Sequence, residues 1–324
     1  MGYMHEGTWH VGDAGRRERR FVRTPARFRD WIGVRGLYEP EPNRYHLYVS
    51  KACPWASRTV IVRKLKKLES VVPMTTLHSD VDNGWAFGSS GDPVNGMSYI
   101  YELYRAADSG YSGRATIPVL WDTKTSTIVN NESADIIVML NNAFDEWADT
   151  SIDLYPQALA AEIDSVNESV YQGLNNAVYR AGFSTDQATY EEAVTTVFQT
   201  IEVLEQRLST RRYLIGERMT LADIRLFTTA IRFDVVYYGH FKCNVRHLWD
   251  YPNLWGWLRD MYQTHGISET VDFSQIKQHY YAMQRWLNPS GVVPVGPHID
   301  YLGPHARHHP ATRCGQQTSS LPHP

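Results

Sequence analysis

One stretch, KACPWASRT at residues 51–59, holds a nucleophile in a position that can activate it. Cys53 is followed by Pro54 and, three residues on, by Ala56, where a dithiol redox motif carries its second cysteine. The flanking pattern sets Cys53 between a strand and the first turn of a helix. Free N–H groups and the positive end of the helix dipole gather there and favour an anion. A thiolate is such an anion, and this placement lowers a cysteine pKa from about 8.5 to roughly 3.5–7.5. The expectation is a sulfur that is nucleophilic at neutral pH; the plainer alternative is a buried structural thiol. With Ala56 in place of a resolving cysteine, a mixed disulfide on Cys53 waits for an external thiol. That is monothiol chemistry, and it calls for a small thiol co-substrate.

A second group lies in TIPVLWD (116–122) and IVNNES (128–133). A proline opening a strand in such a unit is often cis, which turns the Val119 backbone toward a ligand. Glu132 and Ser133 open the next helix. The Ser133 N–H and hydroxyl can hold a carboxylate there while Glu132 takes an ammonium, so an amino-acid head group fits both. The plainer alternative is an acid and a cap at an ordinary helix start. A third group, GHFKCNVRH, spaces His240, Cys243 and His247 as H-x2-C-x3-H. No fourth ligand follows at useful spacing, so it reads as no metal site.

The elements that must position these residues follow from periodicity. RYHLYVS (44–50) alternates as a strand, PWASRTVIVRKLKKLE (54–69) has helical spacing with Pro54 at the permitted first position, and VVPMTTLH (71–78) reads as a second strand. Together they predict a parallel β-α-β unit. Residues 79–113 read as a long loop. The segments 116–122 and 127–131 read as a hairpin and 132–144 as a helix. After residue 156 helical patterns take over, near 157–179, 187–209, 220–235, 251–264 and 273–286. Thr220 and Asp223 form a capping box. The expected organisation is an extended arm over 1–43, an α/β domain over 44–145, an all-helical domain over 156–288 and an irregular tail over 289–324, partly disordered at its end, with HARHH (305–309) solvated.

Composition excludes several classes. Hydrophobic residues make up 43% and charged residues 21%, enough for a large buried core in a soluble chain. A net charge of −3 argues against nucleic acid or an anionic membrane as partner; RRERRFVR (16–23) reads as a solvated arm. Three cysteines far apart exclude a disulfide-stapled fold. There is no signal-peptide pattern and no apolar run long enough to cross a membrane, so a reducing cytoplasm is expected.

The combination YVSKACPWASRT, GRATIPVLWD, IVNNES and LADIRL strongly resembles the glutathione transferase superfamily, and within it the glutathionyl-hydroquinone reductases, or Xi class. The Cys-Pro-Trp-Ala quartet and HFKCN carry the narrower likeness, which runs from about residue 20 to 300. It implies a thioredoxin-like domain followed by an all-helical domain, glutathione as co-substrate, no metal and a homodimer. It also implies roles. Cys53 is the nucleophile, Trp85 packs against glutathione, and Val119 pairs with it through the backbone. Glu132 and Ser133 hold its γ-glutamyl head, and Arg114 assists with charge. Tyr179 and Tyr280 supply the aromatic site beside the sulfur, with Tyr281 interchangeable with Tyr280 at this level. His240, read from its own motif, either lines that pocket or, the plainer alternative, is a satisfied helix-end histidine. The implied reaction is attack of Cys53 on the sulfur of a glutathionyl-hydroquinone, followed by release of glutathione disulfide. Competing readings are another cysteine-type glutathione transferase (a thiol transferase, dehydroascorbate reductase or reductive dehalogenase) and a non-enzymatic module of the same fold.

Overall fold

The computed structural model describes residues 2–12, 23–34 and 36–307. The chain begins with a hairpin, β1 (Gly2–His5) and β2 (Thr8–Val11), turned at Glu6 and Gly7, both at positive φ. It docks through reciprocal hydrogen bonds between Met4 and Gly113 (2.8 and 2.9 Å), and Trp9 stacks on Tyr101. Residues 23–34 then pad the sheet edge: Asp30 N–H donates to the Val129 carbonyl (3.0 Å), and Arg29 pairs with Asp135. The expected extended arm is therefore structured where it is described. Most of the RRERRFVR run lies outside the described residues; Arg23, its last member, rests on the Trp55 ring at 4.0 Å.

β3 (Tyr45–Val49), α1 (Pro54–Leu65) and β4 (Met74–Thr76) form the predicted unit, with Leu47 opposite Met74 in parallel register. The expected loop over 79–113 is a correction. It contains most of a small hairpin, β5 (His78–Asp80) and β6 (Gly84–Ala86), and a helix, α2 (Ile100–Ala107). The sequence holds that helix's signal, since Ile100, Leu103, Tyr104 and Ala107 stand at helical spacing and Glu102 accepts from the Tyr99 N–H (2.8 Å) as a cap. β7 (Val119–Asp122) and β8 (Thr127–Asn130) form the expected antiparallel pair, and α3 (Ser133–Asn142) follows. The sheet order is β4-β3-β7-β8, the thioredoxin-like arrangement. α1 packs on α3 and, across the domain boundary, on a helix of the second half, so nearly all its residues are buried.

The helical half holds α4 (Ala160–Val170), α5 (Ala177–Gly182), α6 (Gln187–Leu208), α7 (Leu221–Arg232), α8 (Pro252–Gln263) and α9 (Phe273–Lys277). Three wider π-helical turns interrupt or extend these, at Tyr171–Asn175, Phe233–Tyr237 and Gln278–Met283. Among the described residues no helix is long and apolar enough to cross a membrane. The tail to residue 307 has no regular element, yet it is packed. Tyr301 stacks on Phe273, and the buried Arg307 guanidinium donates to the carbonyls of Leu208 and Arg212, both at 3.0 Å. It thereby satisfies the end of α6, which corrects the expectation of a solvated 305–309 for His305 and Arg307; His308 and His309 lie outside the described residues.

Asp223 joins three parts of the helical half. Its buried carboxylate accepts from the Leu214 N–H (2.9 Å), the Thr220 N–H (2.9 Å), the Thr220 hydroxyl (3.1 Å) and Trp257 Nε1 (3.0 Å). Asp223→Ala removes the cap and leaves several buried donors unpaired, and is expected to destabilise the protein by roughly 3–5 kcal/mol, read as a lowered urea midpoint.

Candidate active site

Cys53 is the N-cap of α1, in extended conformation, with Pro54 next. Its thiol donates to the carbonyl of Ile117 at 3.8 Å, and the Ile117–Pro118 peptide is cis, as the strand-opening proline led one to expect. The Trp55 and Ala56 N–H groups face the sulfur. Burial works against the expected fall in pKa. Cys53 is only 7% exposed, and burial pushes its thiol above the ordinary value. The Ala56 and Trp55 N–H groups and the charges of Arg232 and Arg23 oppose that rise without overcoming it.

Val119 opens β7 directly after Pro118 and is fully buried opposite Tyr48. Glu132 and Ser133 lie at the start of α3. The Glu132 carboxylate accepts from the Ala134 N–H (3.1 Å), so it caps its own helix, and the Ser133 hydroxyl approaches it at 3.4 Å. Behind them lies Arg58 of α1, 1% exposed. It donates to Ser133 Oγ (3.3 Å) and Asn175 Oδ1 (3.0 Å) and lies 4.4 Å from the Trp55 ring. A positive charge, a first-turn serine and the carboxylate of the N-cap Glu132 thus share one helix start, a set that suits a zwitterionic amino-acid head. Arg114 stands exposed before the cis peptide, with its carbonyl accepting from the Tyr111 hydroxyl (3.0 Å). Trp85, in β6, stacks on His279 (5.0 Å between centroids). His279 is fixed by Ser79 (2.6 Å) and kept neutral by burial, its pKa lowered to about 3.

The helical half brings three tyrosine hydroxyls together. Tyr179 and Tyr280 lie 2.6 Å apart, Tyr237 is 3.1 Å from Tyr280, and Tyr179 and Tyr237 are 3.5 Å apart. All three are buried, and burial is the largest influence raising each phenol's pKa, so they stay protonated at neutral pH. Cys53 is close enough to Tyr179 to be the next influence on it. Of the adjacent pair, Tyr280 joins this cluster; Tyr281 turns its hydroxyl to the Val235 carbonyl (3.5 Å). His240 bonds Gln284 (3.1 Å) and packs beside Tyr280 and Tyr281. The other members of its motif have separate partners. Cys243 is buried against the Phe241 carbonyl, and His247 pairs with Asp234 between the rings of Tyr238 and Trp249. Sequence reasoning did not single out Tyr237, Arg58, His279 or Arg232. Tyr237 sits in a π-helical turn that a helical reading of 220–235 stops short of, and the others carry no local motif.

The arrangement is a desolvated thiol at a helix start, a helix terminus suited to an amino-acid head group, and a cluster of protonated phenols across the domain boundary. Models of the glutathione S-transferase N-terminal and C-terminal domains match residues 52–143 and 187–260. The chain is 46% identical over 323 residues to glutathionyl-hydroquinone reductase YqjG of Escherichia coli K12, covering 95% of this chain and 98% of that protein. It is 44% identical to glutathionyl-hydroquinone reductase PcpF of Sphingobium chlorophenolicum, covering 92% and 96%. The glutathione-bound structure of YqjG superposes with a TM-score of 0.86 at 45% identity, covering 94% and 99% of the two chains. A Xi-class transferase from Natrialba magadii gives 0.88 at 42%, covering 95% and 96%. With both halves matched and the likeness running through nearly the whole chain, the protein is an enzyme of the glutathione transferase family, in its Xi class.

Proposed function

We propose that this enzyme reduces glutathionyl-hydroquinones to hydroquinones at the expense of glutathione, through a mixed disulfide on Cys53. The observation that carries the reading is a lone cysteine at a helix start, with no resolving thiol at Ala56 and with Tyr179, one of three mutually bonded tyrosine hydroxyls, within electrostatic reach. The names of the two relatives agree with it. The tripeptide lies in the 44–145 domain, its γ-glutamyl head on Glu132 and Ser133 and its cysteinyl backbone on Val119. Trp85 packs against it, and Arg114 adds charge. The flat ring lies against the 156–288 domain, beside Tyr179 and Tyr280, with His240 and Tyr281 behind. The resemblance also supports a homodimer, and the sparse, widely spaced cysteines suit a reducing cytoplasm.

The Cys53 thiolate attacks the sulfur of the aryl thioether. An S–S bond forms and the C–S bond breaks, its electron pair going to the ring carbon, which takes a proton from a tyrosine hydroxyl. The hydroquinone leaves and Cys53 holds glutathione as a mixed disulfide. A second glutathione, as thiolate, attacks that disulfide, releases glutathione disulfide and restores the Cys53 thiolate. Placement of both sulfurs in line contributes to the rate together with the activated thiol.

Incubation with a glutathionyl-hydroquinone and glutathione, followed by chromatography, is expected to yield hydroquinone and glutathione disulfide in equal amounts, and Cys53→Ala to yield neither. Turnover of small disulfides or dehydroascorbate without hydroquinone formation would assign the protein to the thiol-transferase reading instead.

Because burial raises the Cys53 thiol, the reactive thiolate is the minor form at neutral pH. The logarithm of kcat/KM for the glutathionyl-hydroquinone is expected to climb with near-unit slope between about pH 6 and pH 8. His240 and His279 are both held neutral by burial and add no acid limb. A rate already flat over that range would show the sulfur ionised before substrate arrives. Tyr280→Phe removes one hydroxyl from the donor cluster; kcat is expected to fall roughly a hundredfold with little change in KM for glutathione, measured by steady-state kinetics.

A further inference from the structure

Arg232, the last residue of α7, is 2% exposed and reaches out of the helical half to grip the loop that carries Cys53. Its Nε donates to the Ala52 carbonyl (3.2 Å), and its Nη2 to the Lys51 carbonyl (2.6 Å) and to Ser57 Oγ (2.8 Å). Nη1 returns to the Thr228 carbonyl of its own helix (2.7 Å). Ser57 in turn donates its hydroxyl to the Cys53 carbonyl (2.9 Å). The arginine therefore holds the chain on both sides of the cysteine.

Each of those four acceptors is an uncharged oxygen. Arg44, Arg29 and Arg212 are less deeply buried, and each meets a carboxylate, on Asp122, Asp135 and Asp260 respectively. A buried guanidinium bonded only to neutral oxygens leaves a positive charge uncompensated in a poorly hydrated region, and that charge favours any anion that can form beside it. The groups facing Cys53 are Arg232 from α7, Arg23 from the segment before the sheet, Arg58 from its own helix and Tyr179 from α5, with the Ile117 carbonyl on the strand side. Arg58 and Arg225 have Glu132 within electrostatic reach. Tyr179 stays protonated, which leaves the Cys53 thiolate as the anion that can answer Arg232.

We propose that Arg232 is a positioning residue of the reaction, holding the Cys53 loop against the tyrosine-bearing half and supplying the charge that favours ionised sulfur. The proposal rests on Cys53 being the nucleophile. Its two components separate by substitution: Arg232→Lys keeps the charge and loses most of the grip, whereas Arg232→Met loses both.

The test is the pH dependence of Cys53 alkylation by iodoacetamide, read by peptide mass so that Cys243 and Cys314 do not contribute, on full-length protein whose folding is checked by circular dichroism and thermal melting. Arg232→Met is expected to slow alkylation about tenfold near neutral pH, an upward shift of about one unit in the sulfur's pKa. Arg232→Lys is expected to keep the wild-type pH profile while lowering kcat through the loosened loop. An unshifted profile in folded Arg232→Met, or an equal shift in the lysine and methionine variants, would overturn the electrostatic role. If Arg232→Met does not fold, Arg232→Gln replaces it, with the same shift expected and the same overturning result. Alkylation needs neither glutathione nor a hydroquinone, so a failure of the proposed reaction shows in the product assay and leaves this result readable.

Discussion

The buried contact between α1 and α7 is what the rest of the structure depends on. The proposed nucleophile belongs to the sheet-containing half and the tyrosine hydroxyls to the helical half, so their relation is only as fixed as the boundary between them. That boundary is held by polar groups inside an apolar packing. Arg232 crosses it to Lys51, Ala52 and Ser57, and Arg58 crosses it the other way to Asn175, whose amide continues to Thr229 of α7 (2.8 Å). Directional bonds define a register that apolar packing alone leaves loose, since unmatched buried donors cost more than unmatched methyl groups. The same contact explains why α1 buries Arg58, while Arg63 is buried against the Glu69 and Val72 carbonyls of the segment that follows the helix. The helix is covered from both sides, and its long side chains meet carbonyls, amides and hydroxyls in place of water.

Burial has opposite effects on the two halves of the proposed chemistry. It works against the thiolate, and the two N–H groups and nearby arginines partly offset it. It keeps the tyrosines protonated, because a desolvated phenol resists ionisation, so the proton is present at neutral pH although it is held more tightly. The neutral histidines extend the same logic: His279 braces Trp85 and His240 braces Tyr280 and Tyr281 without placing competing positive charge among the phenols. A region that keeps its acids protonated and concentrates its positive charge near one sulfur is suited to a reaction in which sulfur carries the negative charge and carbon receives the proton.

Much of this was legible because the signals are local. Cys53-Pro54 marks a helix start whatever surrounds it, Glu132-Ser133 does the same for α3, and Thr220 with Asp223 closes a box within four residues. The β-α-β unit and the pair β7–β8 follow from periodicity. α2 was legible but lost inside a stretch rich in Gly, Asp and Ser. The first hairpin was harder: its Glu6-Gly7 turn is a weak signal, and its docking depends on Gly113, more than a hundred residues away. Arg232 and Arg58 look like surface charges on amphipathic helices; only the packing of one half on the other buries them.

The tyrosine cluster shows where pattern reading stops in principle. Tyr237 and Tyr280 both lie within π-helical turns, and Tyr179 follows soon after a third. A π-helical turn inserts one extra residue and changes the direction in which every later side chain points, with no mark in composition. The apolar stripe of each helix can then face the core while one hydroxyl is turned toward its partners on another helix. Rotating Tyr280 inward is also what sends Tyr281 aside to Val235, so the choice between the two is made by backbone geometry. Three phenols buried separately would each lack a partner; brought together by three irregular turns, each hydroxyl satisfies another. Under the proposed reaction the ring meets a network already complete, and a proton given up at one hydroxyl can be shared by the other two, which keeps the donor in place without admitting water.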